Sequence, residues 1–267
     1  MANCHKNFFT ATESFHSKIV LDERKKESLR RSRRNLKDHI KKKFEEKDRP
    51  KIVFWIQGSF SMDTTVNPLN GDYDIDYGLY FNPELDERPS PDTVHRWVGE
   101  AVKSYNTVDP PIDKSRCVRV PFKAGYHVDI PIYDLVDLGE GVVDPYLAIK
   151  GEGWEYSDPK LLTQWFNNRV SEKDPQLRRL VRYFKAWADY QSQKTQTKMP
   201  SGLILTVLAA EEYQYDEKDD VAFARTAAAI LDRISDDESI PNPVDKNEDL
   251  RERITDVQFD NFRKVLD

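Results

Sequence analysis

Leu29, Leu36, Ile40 and Phe44 recur at spacings of seven and four in an otherwise charged stretch. This single apolar stripe predicts one long helix over residues 18–47. Residues 52–56 are all apolar or aromatic and predict a strand, which ends at Gln57, Gly58 and Ser59. Residues 72–81 predict a second strand. Residues 116–122 and 126–133, joined by Lys123, Ala124 and Gly125, predict a hairpin. Pro131 near the end of the latter fits an edge position or the strand's termination. After residue 157 the period becomes helical. Asp158 with Pro159, and Asp174 with Pro175, each read as a helix start with proline at the first position. In the second of these helices Leu177, Leu180, Val181, Phe184 and Trp187 make the buried face. Arg178, Arg182, Lys185 and Asp189 share the opposite one, where Arg178 and Arg182 are expected at the surface. Ser201 precedes an almost wholly apolar helix over 203–210, which must be buried. Further helices are expected over 220–233 and 248–266, with 236–247 as the longest loop.

A mixed front half followed by a helical back half gives an α+β class. The expected division is a sheet domain over 1–156 with an N-terminal brace helix, and a helical lobe over 157–267. A cleft is expected where they meet, a usual place for a small-molecule site.

Composition narrows the classes. The 267 residues hold 41 Lys+Arg and 47 Asp+Glu, a net charge of −6. No window approaches the roughly 20 apolar residues of a membrane helix. The first ten residues lack the apolar segment of a signal peptide. Two cysteines, Cys4 and Cys117, cannot make a disulfide framework, and a reducing cytoplasmic compartment is the expectation. The acidic total argues against tight sequence-independent binding to nucleic acid, and no membrane partner is expected. The charge is uneven, however. Residues 22–49 hold 13 Lys/Arg and 7 Asp/Glu, so the rest of the chain carries −12 beside their +6. That basic run reads as a solvated helix face, or as a surface for phosphates.

Aspartate is disfavoured in strands, yet Asp74 and Asp76 sit two apart in one. They therefore point to the same face, about 6–7 Å apart along the strand. Asp129 repeats the anomaly beside Val128, Ile130 and Ile132. Close carboxylates repel, and burial raises the cost unless a cation compensates. Three of them on one face suit Mg²⁺, which takes carboxylates plus substrate phosphates. The alternative is a pair of exposed aspartates on a solvated sheet face. The turn at Gln57, Gly58 and Ser59 lets backbone N–H groups and a hydroxyl approach phosphate oxygens. Lys185 can neutralise phosphates, or be an ordinary surface lysine. Ser201 can donate to phosphates, or be a plain N-cap.

Strand, Gly-Ser turn, paired aspartates and a distant strand aspartate form an ordered set. Residues 54–64 followed by Asp74, Ile75, Asp76, Tyr77 and Gly78 resemble the active-site signature of the cGAS/DncV-like nucleotidyltransferases, the CD-NTase family. Residues 127–133, 157–167 and 177–187, with Pro200 and Ser201 beyond, resemble its bacterial cyclic GMP-AMP synthase branch. The blocks share the family's order and span most of residues 50–210. The resemblance implies a polymerase-β-like palm sheet, a long N-terminal helix and a C-terminal helical lobe. It implies a template-independent enzyme that joins ATP and GTP into a cyclic dinucleotide, cyclic GMP-AMP being favoured. Such products are second messengers of bacterial anti-phage (CBASS) signalling, read by a downstream effector. By the same resemblance Asp74, Asp76 and Asp129 are catalytic and bind two Mg²⁺ ions, Mn²⁺ being an alternative. Asp129 is also a candidate acceptor for the proton of the attacking hydroxyl. Gln57, Gly58, Ser59, Arg116, Lys185 and Ser201 contact nucleotide, and a monomer is implied. A linear oligonucleotide synthase, an RNA- or protein-modifying transferase and a silent nucleotide-binding module remain open. The chain is shorter than members of the family, chiefly between the palm strands and in the C-terminal part.

Overall fold

The computed structural model describes residues 4–10, 12–69, 71, 73–81, 87–105 and 109–267. Asp72, expected to open the second strand, lies outside them. The chain runs α1 (His5–Phe8), α2 (Phe15–Ile19), α3 (Glu23–Glu45), β1 (Ile52–Gln57), α4 (Gly58–Ser61), β2 (Tyr73–Phe81), α5 (Pro91–Lys103), β3 (Ile112–Asp113) and β4 (Val118–Phe122). It continues through β5 (Tyr126–Ile130), β6 (Ile132–Gly139), β7 (Val142–Ile149), β8 (Gly153–Tyr156), α6 (Pro159–Glu172), α7 (Gln176–Thr195), α8 (Gly202–Glu211) and α9 (Asp219–Asp236). β9 (Pro241–Asn242), β10 (Asp245–Asp249), a 3-10 turn (Leu250–Arg253) and α10 (Asp256–Leu266) close it.

Two compact units result. A sheet unit comprises Asp22–Ser61 and Gly71–Lys160, and a helical unit comprises Met1–Leu21, Met62–Asn70 and Leu161–Asp267.

In the sheet unit β2 is the axis. β1 pairs antiparallel along one edge, from Ile52 opposite Phe81 to Gln57 opposite Asp76. The other edge is shared: β5 runs parallel to its first half and β6 parallel to its second half. Pro131 lies at the changeover, so it terminates a strand in mid-sheet rather than marking an edge. It has no N–H to donate, and its carbonyl accepts from the Leu79 N–H at 2.9 Å. β4 and β3 extend the sheet beyond β5, while β7 and β8 extend it beyond β6.

The period-two alternation of β2 then sorts its residues. Odd positions meet the helices: Tyr73 lies under Lys25, Tyr77 under Arg33, and the Phe81 ring is 6.4 Å from Phe44. Leu29, Leu36, Ile40 and Phe44 of α3 are all buried, as the stripe predicted. Even positions take the opposite face, where Tyr80 stacks on Tyr133 at 4.5 Å.

The expected helix over 18–47 is broken. α2 ends at Ile19 and the chain is extended at Val20. Asp22 then caps α3, its carboxylate accepting from the Lys25 N–H at 2.9 Å. The apolar stripe carries no information about this cap, which is a polar, local event.

In the helical unit, Leu177, Leu180, Val181, Phe184 and Ile204–Ala210 form the core with Phe259, Phe262 and Ile230. Trp187 packs on it only partly buried. α6 starts at Pro159 as expected, but α7 starts at Gln176 with Pro175, not Asp174, at its N-cap. The Asp174 carboxylate still accepts from the Gln176 N–H at 2.7 Å. The expected loop over 236–247 contains the β9–β10 hairpin instead. The last helix starts at Asp256 rather than 248, fixed by a capping box between Thr255 and Gln258.

The polar face of α7 is not a solvated surface. Arg178 donates to the Met62 carbonyl, Arg182 to the Asp63 carbonyl, Lys185 to Thr64 Oγ1 at 3.0 Å, and Asp189 accepts from the Leu69 N–H at 2.7 Å. Arg182 is buried and also pairs with the Asp63 carboxylate at 2.9 Å. The surface expectation for Arg178 and Arg182 is thus corrected. Residues at i, i+4, i+7 and i+11 make a ladder that holds the segment 62–69 in order.

Candidate active site

Parallel pairing of β2 with β5 sets Asp74 opposite His127 and Asp76 opposite Asp129. All four occupy the face of the sheet away from α3, because both strands alternate in step. The result is a two-by-two array of three carboxylates and one imidazole. One ligand atom each from Asp74, His127 and Asp129 lies within 4.8 Å of the others, the single such group among the described residues. His127 Nε2 is 3.6 Å from Asp74 Oδ2. Asp129 is buried, and the Asp74 side chain is 43% exposed. Oxygen donors from separate strands, converging with one side open, suit a divalent cation.

Asp76 stands at the turn. Gly58 follows β1 with φ +66°, and a Cβ built there would sit 2.1 Å from Asp76 Oδ2. Only glycine allows both this left-handed backbone and this carboxylate against it. α4 is a single turn, closed by the Ser61 hydroxyl donating to the Gly58 carbonyl at 2.9 Å. Ser59 lies within it.

Gln57 is placed beside the carboxylates by its register, but its side chain is buried and engaged at both ends. It donates to the Tyr133 hydroxyl at 3.0 Å and accepts from the Tyr80 hydroxyl at 2.9 Å. Burial pushes the pKa of both tyrosines up, so they stay protonated. Gly78 leaves room for this bracket, since a Cβ there would lie 2.4 Å from Gln57 Oε1. The Gln57 amide is therefore already engaged within the protein.

Arg116 does not join the carboxylates. Its guanidinium pairs with Glu155 at 2.5 Å, both side chains about half exposed. The arginine that does reach them is Arg119. It grips Asp129 with two parallel hydrogen bonds, both 2.7 Å. Burial works against its charge, but Asp129 outweighs this and raises its pKa. The signal for Arg119 was present in the sequence. A hairpin centred on Ala124 pairs positions that sum to 248, which sets Arg119 opposite Asp129. Nearby, burial and then the charge of Asp129 push the Cys117 thiol up to about 12, which leaves it unreactive.

Lys185 and Ser201 belong to the helical unit. The Lys185 stem lies over the start of α8, where a Gly202 Cβ would be 3.1 Å from Lys185 Cε. Ser201 is the N-cap residue of α8, is exposed, and makes no side-chain cap bond. An amine, a hydroxyl and a ten-residue helix's N-terminus come together there.

Comparison with known proteins finds chains of similar sequence and fold. Residues 52–133 match the family model "Cyclic GMP-AMP synthase DncV-like, nucleotidyltransferase domain". The chain is 30% identical over 206 residues to the cyclic GMP-AMP synthase of Escherichia albertii, covering 73% of this chain and 45% of that one. It is 25% identical over 230 residues to the c-di-GMP synthase of Roseivirga ehrenbergii, covering 74% and 60%. The chain thus spans about half the length of these relatives. The Vibrio cholerae DncV structure with 3'-deoxy ATP bound superposes with a TM-score of 0.82 at 21% identity, covering 99% of this chain and 88% of that one. Escherichia coli DncV with 3'-deoxy GTP bound gives 0.81 at 17%, covering 99% and 89%. The α+β fold is therefore that of DncV, a polymerase-β-like nucleotidyltransferase.

Proposed function

We propose that the chain is a DncV-like nucleotidyltransferase that joins ATP and GTP into a cyclic dinucleotide, cyclic GMP-AMP. The reading is supported by the family match over residues 52–133 and by the 30% identity to a cyclic GMP-AMP synthase. The observation that carries this reading is the register that sets Asp76 against Asp129 and both beside Asp74, at the mouth of the Gly58 turn. We assign Asp74, Asp76 and Asp129 as the ligands of two Mg²⁺ ions and as the catalytic carboxylates. Held by these carboxylates, such ions would supply Lewis-acid stabilisation of the charge that develops in an in-line displacement and would make the hydroxyl a better nucleophile. The hydroxyl oxygen bonds to the α-phosphorus, the bond to the bridging oxygen breaks, and pyrophosphate leaves with the electron pair. Asp129 is assigned as acceptor of the hydroxyl proton. The backbone of Gln57, Gly58 and Ser59 binds donor phosphates. Lys185, Ser201 and the α8 N-terminus are assigned to phosphate on their own chemistry, which tripolyphosphate binding by Lys185→Gln and Ser201→Ala variants tests. Arg116 is a nucleotide contact only if it leaves Glu155. The reading extends to a cytoplasmic monomer whose product acts as a second messenger on a separate effector in anti-phage signalling. No helix of the described residues is long and apolar enough to cross a membrane.

Incubation with labelled ATP, GTP and Mg²⁺ tests the reading. A phosphatase-resistant product is expected, lost on chelation and lost in Asp74→Ala and Asp76→Ala. A phosphatase-sensitive product would indicate a linear synthase, and no product from folded protein in any nucleotide mixture would overturn the proposal. A second reading, cyclic di-GMP from GTP alone, is favoured by the Roseivirga relative's name. Omitting ATP separates the two.

A further inference from the structure

One corner of the array is not a carboxylate. We propose that His127 is a nitrogen ligand of the divalent-cation centre, and that it biases this centre toward a first-row transition ion such as Mn²⁺ over Mg²⁺. The inference rests on the nucleotidyltransferase reading above and adds a ligand that the three-carboxylate pattern lacks.

Position comes first. His127 stands two residues before Asp129 on β5 and opposite Asp74 on β2. Its side chain therefore shares the carboxylate face, as the short approach to Asp74 confirms. The separation is slightly wider than that of two ligands on one ion. His127 Nε2 and Asp74 Oδ2 are 3.6 Å apart, beyond good hydrogen-bond length. Two ligands held at roughly 2.0–2.2 Å from one ion sit about 3.0–3.5 Å apart, so a small closure brings this pair onto a common cation. Asp129 completes the trio within 4.8 Å.

Order supports the same reading. The imidazole is 7% exposed, so packing holds it in place and little freedom is lost on ligation. Asp76, by contrast, lies against Gly58 and stands outside the trio.

The consequence for ion choice follows from ligand chemistry. Mg²⁺ takes oxygen ligands in a strict octahedron and gains little from imidazole. First-row transition ions accept mixed nitrogen and oxygen sets. Arg119 sharpens the contrast. It occupies both oxygens of Asp129 and offsets one of the three negative charges, which weakens the hold on a hard ion. A nitrogen ligand restores affinity selectively.

Pulsed EPR of the full chain loaded with Mn²⁺ alone tests the proposal without relying on turnover. A directly bonded imidazole imprints ¹⁴N modulation on the Mn²⁺ echo. The expected result is such modulation in the wild-type chain and its loss in His127→Gln. Titration should show Mn²⁺ binding weakened about tenfold or more in His127→Gln, with Mg²⁺ affinity changed much less. Bound Mn²⁺ without nitrogen coupling in the wild-type chain would overturn the ligand assignment and leave the carboxylate reading standing. Coupling that persists in folded His127→Gln, or equal loss of both ions, would overturn it too. If folded wild-type protein bound neither ion, the metal reading of the carboxylates would fail along with it. The wild-type measurement stands even if a variant does not fold, and His127→Asn supplies a second substitution.

Discussion

At Gly58 one residue does two things. Its backbone is left-handed at φ +66°, and its missing Cβ makes the space that Asp76 Oδ2 occupies. Gly58→Ala should therefore push a carboxylate of the proposed centre aside, where about 1 Å of displacement can cost roughly 10²-fold in rate. The measurement is kcat for nucleotide condensation alongside thermal melting, with kcat falling far more than a modest drop in Tm implies. His16 makes a separate residue-scale prediction, about pH. Burial first, then Arg182 and Arg179, lowers its pKa to about 4 from the usual 6.5. Between those values the unfolded chain binds a proton that the folded chain does not. Stability should therefore be flat above about pH 6.5 and fall as pH drops toward 4. Urea denaturation at pH 7, 5.5 and 4.5 should show this loss in the wild-type chain and less of it in His16→Gln. Residue identity also marks how far sequence reading reached. The three aspartates stood out because strands disfavour them. Asp134 is another strand carboxylate, buried and paired with Arg88 at 2.7 Å, and it faces the helices. Alternation, not residue type, separates it from the site. Arg116 came from the family resemblance, whereas strand pairing sets Arg119 beside Asp129.

At the scale of elements, α7 is the one whose reading changed most. Its apolar face was legible from spacing alone. Arg178 and Arg182 of its polar face were expected at the surface, because charges at helical spacing usually are. Instead the ladder from Arg178 to Asp189 holds the segment 62–69, whose own sequence shows no periodic signal. Arg182→Gln removes the buried guanidinium from Asp63. It should destabilise the fold by about 1.5–3 kcal/mol, the range for hydrogen bonds to charged groups. Hydrogen exchange should quicken in 62–69 before it does in β2, and equal acceleration in both would refute the ladder's local role. The break between α2 and α3 and the β9–β10 hairpin were missed for a related reason. Caps and two-residue strands rest on single hydrogen bonds, which apolar periodicity does not register.

For the whole molecule, the two units are threaded through one another in sequence. The chain enters and leaves the helical unit at 21, 62, 70 and 161. Ile19 and Met62 are buried in the core that Leu177–Phe262 build. A fragment ending at residue 160 would keep these apolar residues and lose their partners. It should express poorly, expose apolar surface to a hydrophobic dye and lack a sharp unfolding transition. A cooperative, dye-silent fragment would show that the sheet unit folds without the helical one.

The sequence alone determined the α+β class, the strands that carry the aspartates, the buried faces of α3, α7 and α8, and the resemblance to the family. These depend on local alternation, helical period and ordered motifs, all of which are properties of short windows. Tertiary structure decided which side chains meet. Parallel pairing of β2 with β5 brings residues some fifty positions apart into register. That pairing sets His127 opposite Asp74 and Asp76 opposite Asp129. Long-range register has no local signature, because it minimises the energy of the whole sheet and its helices together.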